Sequence, residues 1–294
     1  MTTASDTKKP PILKLAERTY DLSQRTLIMG VINCTPDSFY SSSRVLDAQK
    51  AIETGIRMME EGADILDVGG ESTRPGSEPV NQDEELRRVL PVIEGLLANV
   101  SIPISIDTYK ATVAARALSA GVHMVNDISA LQFDPQMVEV VAQFGVPVVL
   151  MHIKGRPKEM QRNPSYENLM GELFEYFAQR IQFATNHGIP RENLILDPGI
   201  GFGKRLQDNY EIIRRLREFS IFDLPILVGP SRKSFLGKVL NLPPEELLEG
   251  TLAACAVAIQ NGAHILRVHD VKEVARAVKI VDALIGKSQV GMHP

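Results

Sequence analysis

The chain is poor in the features that mark secreted, membrane-spanning or nucleic-acid-binding proteins. It has only two cysteines, Cys34 and Cys255, in 294 residues. That is too few for a disulfide framework and is consistent with a reducing compartment, where both read by default as small buried hydrophobes. No apolar stretch approaches the roughly 20 residues needed to cross a bilayer. The leading segment, Met1 to Pro11, is polar, carries Lys8 and Lys9, and lacks the apolar core of a secretory signal, so cytoplasm is the expected location. Basic residues are outnumbered 36 to 32, and a net charge of -4 offers no general attraction to nucleic acid or to a membrane. An anionic ligand would have to be held by a local cluster of Lys and Arg.

What the chain does have is a rhythm. Short apolar runs stop abruptly on polar side chains: Leu27 to Ile32 at Asn33, Ile65 to Val68 at Gly69-Gly70-Glu71, Ile104 to Ile106 at Asp107, and Met124-Val125 at Asn126-Asp127. The same happens at Val148 to Met151 before His152, Leu194 to Leu196 before Asp197, Ile226 to Gly229 before Ser231, and Ile265 to Val268 before His269, with Arg267 just inside. Runs rich in Ile, Val and Leu, each followed by a longer segment of helical period, read as buried parallel strands joined by crossover helices. Eight such units predict one α/β domain, a (β/α)8 TIM barrel over 27–286, whose chemistry sits at the carboxyl ends of the strands. Residues 1–26 are expected to be a lead-in with a short strand or hairpin closing the amino end of the barrel, and 287–294 a tail. Hydrophobic residues at 44% and charged residues at 23% supply an ordinary soluble core.

Helices are expected over Asp47–Glu61, Asp83–Ala98, Lys110–Ala120, Pro135–Phe144, Tyr166–His187, Glu211–Phe219, Glu245–Asn261 and Val271–Leu284. Gly62, Gly121, Gly145 and Gly188 stand where left-handed C-terminal residues belong. Three connections are long for their kind and are candidate lids or binding loops: Thr35 to Leu46, Gly69 to Gln82, and Ile153 to Pro164. The third reads equally as a lid or as a solvated excursion.

Asp197-Pro198-Gly199-Ile200-Gly201-Phe202-Gly203-Lys204 is the most distinctive string. It matches neither the dinucleotide-binding nor the Walker spacing. Its glycines are read as letting backbone approach a flat ligand while Asp197 bonds the ligand's edge; a plain tight turn is the alternative. Asp107, Asn126 and Asp197 at three strand ends suit the N–H groups of an amidine-like ligand, since ionised carboxylates only accept hydrogen bonds. A divalent metal site is the rival reading. Ser231-Arg232-Lys233-Ser234 follows the seventh run, where barrels often bind phosphate, and Arg267 and His269 alternate on one face of the eighth. With Arg74 they could form the positive pocket that the net charge requires.

Taken together, these motifs resemble the dihydropteroate synthase family. The matching segments are Met29 to Phe39, Gly70-Glu71-Ser72-Thr73-Arg74-Pro75-Gly76, Ser105 to Thr108, Asn126-Asp127-Ile128, Asp197 to Lys204, Ser231 to Ser234 and Arg267-Val268-His269-Asp270. The first two are highly specific to that family. The resemblance implies that (7,8-dihydropterin-6-yl)methyl diphosphate condenses with 4-aminobenzoate to give 7,8-dihydropteroate and diphosphate, with Mg²⁺ as cofactor. It implies that Asp107, Asn126, Met151, Asp197 and Lys233 hold the pterin, and that Thr73, Arg74, Arg267, Val268 and His269 surround the diphosphate. Phe39, Thr73, Pro75, Phe202, Ser231 and Lys233 would border the aminobenzoate, and Asn33 would contact the metal. Asp107, Lys233, Arg267 and His269 are the expected catalytic set.

Such a reaction separates charge, leaving a pterin cation and a diphosphate anion, and a neutral aniline nitrogen then attacks. It needs no strong base or covalent nucleophile, and no Ser-His-Asp or Cys-His arrangement stands out. One departure is visible: after Phe39 the family commonly has an Asp-Gly-Gly-like turn, where this chain reads Tyr40-Ser41-Ser42-Ser43-Arg44. The family is usually dimeric through helices on the barrel's outer side, so a homodimer is expected, with the small apolar segment Gly250 to Ile259 able to pack closely. Two alternatives share the pterin receptor: a pterin-binding methyltransferase barrel, which has no use for a diphosphate apparatus, and a non-catalytic pterin-binding protein.

Overall fold

The computed structural model describes residues 11–35 and 44–287. The chain enters through an antiparallel hairpin of β1 (Ile12–Leu15) and β2 (Arg18–Asp21). Next come β3 (Leu27–Asn33), α1 (Arg44–Glu60), β4 (Ile65–Gly69), α2 (Gln82–Asn99), β5 (Ile104–Asp107) and α3 (Ala111–Ala120). They are followed by β6 (Met124–Asp127), α4 (Met137–Phe144), β7 (Val148–Met151), α5 (Leu169–Asn186), β8 (Leu194–Asp197) and α6 (Leu206–Arg214). The last elements are β9 (Leu227–Val228), α7 (Ser234–Leu240), α8 (Leu248–Gln260), β10 (Ile265–Val268) and α9 (Val271–Leu284). β3 to β10 form an 8-stranded parallel sheet in the order β8-β7-β6-β5-β4-β3-β10-β9, and a parallel bridge between Leu196 and Ile226 joins its ends. The expected barrel and the expected hairpin are both present.

Strand alternation sorts the side chains into two columns. Ile28, Ile32, Leu66, Val68, Ile104, Ile106, Val125, Leu150, Leu196 and Leu266 face outward and pack with the helices. Met29, Ile65, Met124, Val149, Ile195, Leu227 and Ile265 face inward, where they meet Leu13, Leu15 and Leu22 from the hairpin. The floor of the barrel is therefore a dry plug. Above it the inward column turns polar, with Asp67, Ser105 and Asn126 buried at the next level. Parallel register aligns Asn33 with Gly69, Gly69 with Asp107, and Asp107 with Asn126, so these strand ends share one rim.

On the outside, α1 and α2 approach closely because Gly55 and Gly95 lack side chains. A Cβ on Gly95 would lie 2.2 Å from Ile52 Cδ1, and one on Gly55 2.4 Å from Leu96 Cδ2. The expected glycine C-terminal signals are also met: Gly62, Gly121, Gly145 and Gly188 all have positive φ.

Two stretches differ from the helical expectation. The helix expected over Glu211–Phe219 is instead the end of α6 followed by a 3₁₀ segment, Leu216–Phe222. Leu216, Phe219 and Phe222 are its buried residues, and a repeat of three aligns them where 3.6 would not. The short α7 has too few turns to show a helical period in the sequence. Among the described residues no helix is long and apolar enough to cross a membrane.

Leu15 is 1% exposed in the plug. Leu15→Ala is expected to destabilise the protein by about 2–5 kcal/mol through lost burial and the cavity left behind, read as a shift in the urea denaturation curve.

Candidate active site

Arg267 is the centre of the polar mouth. It stands on β10 opposite Met29 of β3, and its side chain reaches past β3 to the next two strands. Its Nε donates to Asp67 Oδ2 at 2.6 Å and its Nη2 to Asp107 Oδ2 at 2.6 Å. Asn126 Nδ2 donates to the same Asp67 oxygen at 2.9 Å. Burial works against the Arg267 charge, but the two carboxylates outweigh it and hold its pKa above the usual value. Asp107 is pushed upward, chiefly by burial, with Arg267 opposing the shift and Asp67 adding to it. Asp107 is pushed up to about 7, so the triple carries one negative charge in surplus once Asp107 is ionised, and a ligand cation placed there would favour that ionisation.

Asp197 and Lys233 form the adjacent wall. Burial raises the Asp197 carboxyl, while Lys233 lowers it and the Gly199 N–H, 2.7 Å from Oδ1, stabilises its charge. Burial lowers Lys233 to about 8 against the pull of Asp197. The Lys233 ammonium donates to the Ile200 carbonyl and lies 4.7 Å from the centre of the Phe202 ring. Adjoining these charges through Phe202, Ile128, Met151, Ile153 and Met160 form an apolar cluster with Tyr109, Phe133 and Phe202 packed on it. The mouth thus sets acidic and basic groups beside a greasy surface. A flat heterocycle with a polar edge suits that pairing.

His269 and Ser231 pack against each other at the same mouth, within reach of the Arg74 charge. Ser231 Oγ sits 3.1 Å from His269 Nδ1 and accepts the His269 backbone N–H at 3.3 Å. Burial, with Arg267 and Arg232 adding to it, lowers His269 to about 4, and the Arg74 charge contributes in the same direction. The imidazole is therefore neutral at ordinary pH. Arg232 turns away to pair with Asp270. Thr73 is half-buried, whereas Arg74 and Pro75 are exposed on the loop after β4.

Glu71, which the sequence reading leaves without a role, holds the root of that loop. It accepts the Val80 N–H at 2.8 Å, the Tyr109 hydroxyl at 2.6 Å and the Lys110 ammonium at 2.5 Å, and Lys110 also pairs with the buried Glu85. The segment 153–164, most of whose residues are exposed, is tied down at several points. Met160 is buried, Pro157 O accepts the Gly76 N–H at 3.1 Å, Lys158 pairs with Glu78 at 2.8 Å, and Gln161 donates to Gly201 O at 2.5 Å. It straps the loop after β4 to the glycine-rich loop after β8.

The structure brings Asp107, Asn126, Met151, Asp197, Phe202, Ser231, Lys233, Arg267 and His269 to one mouth, with Asn33 on the same rim. Val268 points its side chain into the helix-side core, so only its main chain could meet a ligand. Phe39 and the Tyr40-Ser41-Ser42-Ser43 departure lie outside the described residues. Two of the glycines after Asp197 have a structural demand of their own: a Cβ on Gly199 would stand 2.0 Å from His152 O, and one on Gly203 2.5 Å from Lys154 O, so these residues let the loop lie against the exit of β7, while a Cβ on Gly201 would stand 3.2 Å from Lys233 Cδ. Asp67 is the residue that the reading of strand ends misses, because it sits inside an apolar run. The available signal was the need of any carboxylate in a buried strand for a partner. Cys34 and Cys255 are free and buried, and burial pushes both thiols up to about 12. Among the described residues, no three His, Cys, Asp or Glu side chains are grouped to hold a metal ion.

Residues 29–269 match the family model described as pterin binding enzyme. The dihydropteroate synthase of Synechocystis sp. is 46% identical over 276 residues, which cover 94% of this chain and 96% of the relative. The chain superposes on a Yersinia pestis dihydropteroate synthase solved with a sulfonamide drug complex, with TM-score 0.88, 44% identity, and 93% and 99% of the two chains covered. It is also similar to the Xanthomonas albilineans dihydropteroate synthase in complex with 7,8-dihydropteroate, with TM-score 0.85, 39% identity, and 94% and 99% covered.

The surroundings of His269 generate a pH expectation. Its folded pKa of about 4 lies below the ordinary 6.5, so between those values the unfolded chain holds the extra proton. This group's contribution to stability is therefore complete above pH 6.5 and is lost as pH falls toward 4. A heteronuclear NMR titration is expected to find the His269 ring neutral down to about pH 5; a midpoint near 6.5 would contradict the site's electrostatics.

Proposed function

We infer what this mouth does from the premise that the chain belongs to the dihydropteroate synthase family of pterin-binding enzymes. It is a transferase of folate biosynthesis, condensing (7,8-dihydropterin-6-yl)methyl diphosphate with 4-aminobenzoate to give 7,8-dihydropteroate and diphosphate. The residue-level reading rests on one observation: Asp107, Asn126, Asp197, Lys233 and Arg267 converge beside the apolar cluster that includes Met151.

Asp107 and Asp197 accept from the N–H groups of the aminopyrimidinone edge. Asn126 has its amide hydrogens drawn to Asp67, which leaves its carbonyl for the ligand. Lys233 donates to the pterin, and Met151 packs on the ring face. Arg267 uses two of its donors on Asp67 and Asp107, and a guanidinium has five. The remainder are available to the diphosphate, together with Thr73, Arg74, the Val268 main chain and His269. If Ser231 donates to Nδ1, the Nε2–H tautomer is fixed and His269 becomes a neutral donor to an anion.

The chemistry follows from charge. Breaking the methylene C–O bond leaves a cation on the pterin, and the surplus negative charge of the Asp67–Arg267–Asp107 triple stabilises it. The basic and hydrogen-bonding groups stabilise the departing diphosphate. The neutral aniline nitrogen of 4-aminobenzoate, bordered by Thr73, Pro75, Phe202, Ser231 and Lys233, then forms the C–N bond and loses a proton. Asn33 would hold Mg²⁺ through its amide oxygen. One neutral donor on the rim, without an acidic cage among the described residues, fits an ion that keeps waters and substrate phosphate oxygens. When bound, that ion would neutralise charge on the leaving group.

A homodimer is proposed through the outer helices. Val239 of α7, Val257 of α8, and Ile280 and Leu284 of α9 are large exposed apolar residues on neighbouring helices. The free buried thiols suit a cytoplasmic setting.

Purified protein with the pterin diphosphate, 4-aminobenzoate and Mg²⁺ is expected to release diphosphate; binding of pterin without release would sink the enzymatic reading. Asp107→Asn should slow release by about 100-fold or more, on the scale of losing one electrostatic stabiliser, and weaken pterin binding. Unchanged turnover would remove Asp107 from the site. Val257→Arg should convert the dimer to monomer in light scattering; a wild-type monomer at all concentrations would refute the interface.

A further inference from the structure

Behind the wall formed by Asp197 and Lys233 lies a cation to which the reaction assigns no role. Lys204 is 3% exposed, and among the described residues no carboxylate is hydrogen-bonded to it. Its Nζ lies 3.0 Å from His152 Nδ1, 3.3 Å from His152 O and 3.1 Å from Phe202 O. Three acceptors match the three protons of an ammonium. His152 is buried as well, edge-on to Tyr176 at 4.7 Å between ring centres, and burial with the Lys204 charge keeps its ring neutral. Burial lowers Lys204 to about 7 against the pull of Asp197, so below that pH the pair has the form of an ammonium donating to an imidazole, not of two competing cations.

The loop between Asp197 and Lys204 supplies the contacts that orient the receptor. Gly199 N–H bonds Asp197 Oδ1, Ile200 O accepts from Lys233, and the Phe202 ring lies beside the Lys233 ammonium. Lys204 fastens this loop to the exit of β7, and Tyr166 fastens it again by donating to Gly203 O at 2.7 Å.

We propose that Lys204 is a positioning residue for the pterin receptor: a buried ammonium that locks the loop after β8 onto His152 and so holds Asp197 and Lys233 in their places. The proposal rests on the reading of Asp197 and Lys233 as the pterin receptor. Lys204 is faced by Asp197 from β8, Lys233 from the turn before α7, Asp208 from α6, and Lys154 and His152 from the exit of β7, while Arg267 faces Asp197 from β10. Lys204 is among the cations that pull the Asp197 carboxyl down against burial. Without it Asp197 takes up its proton at higher pH, and a protonated carboxyl is a poorer acceptor. Pterin affinity should then begin to fall at a higher pH than in the wild type.

The test uses 6-hydroxymethyl-7,8-dihydropterin, which lacks the diphosphate, in calorimetric titrations of the full chain from about pH 5 to 8, so that the acid limb of binding is followed. Lys204→Gln, which keeps hydrogen-bonding capacity but no charge, should weaken binding by about tenfold or more at the acid end and less at the alkaline end, displacing the acid limb upward by about one pH unit. Lys204→Arg should return the limb to its wild-type position. Superimposed profiles for Lys204→Gln and wild type, or an equal loss at every pH that Arg does not restore, would overturn the proposal. Should the Gln variant not fold, the Arg variant decides: a wild-type limb supports the role of charge, and a displaced limb refutes it. Asp197→Asn separates the two levels, because unchanged pterin binding in that variant would fail the receptor reading itself.

Discussion

The mouth of this barrel depends on one guanidinium held between two carboxylates. Arg267 crosses from β10 past β3 to Asp67 on β4 and Asp107 on β5, and Asn126 on β6 joins through Asp67. Removing such charges from water is costly, and the cost is offset only when geometry is good and hydrogen bonds are well satisfied. Two bonds of 2.6 Å from one planar fork meet that demand. The same arrangement links four strands of the barrel wall, β10, β4, β5 and β6, through side chains alone, spanning β3 between them.

Around that centre the loops are not independent. Glu71 and Lys110 tether the loop carrying Thr73 and Arg74, the segment 153–164 joins that loop to the one carrying Phe202, and Lys204 fastens the latter to β7. The groups assigned to the leaving diphosphate and to the incoming amine therefore share a mechanical connection that runs over the apolar side of the mouth. Met160 sits on both the strap and the apolar cluster, so the same residue that closes the greasy wall also anchors the bridge.

Much of this was legible because a parallel barrel writes its strands as apolar runs and its active face as the polar residue that ends each run. Asp107, Asn126, Asp197 and His269 were visible for that reason. Asp67 was not, since a residue two places before the strand end looks like an interruption rather than a stop, and only its partner on β10 shows why it is tolerated. The 3₁₀ segment after α6 was hidden because Leu216, Phe219 and Phe222 also fit a loosely read helix. In the glycine-rich loop, Gly199 and Gly203 answer to the backbone of β7's exit, a neighbour that lies some 50 residues away in the chain and that local spacing cannot reveal. Glu71 and Lys204 likewise acquire their meaning only from tertiary contacts.

The hairpin plug has a consequence for traffic. With Leu13, Leu15 and Leu22 in dry contact with the inner strands, the amino end is closed among the described residues, and reactants come and go at the carboxyl end. Under the proposed reading the pterin lies against the deeper carboxylates and the aminobenzoate beside the outer loop residues. Reactants then stack like plates in a well: the pterin must enter before the amine, and an amine that arrives early stands in the doorway. The joined product must withdraw whole through the same opening, past the strap that links the loops above it.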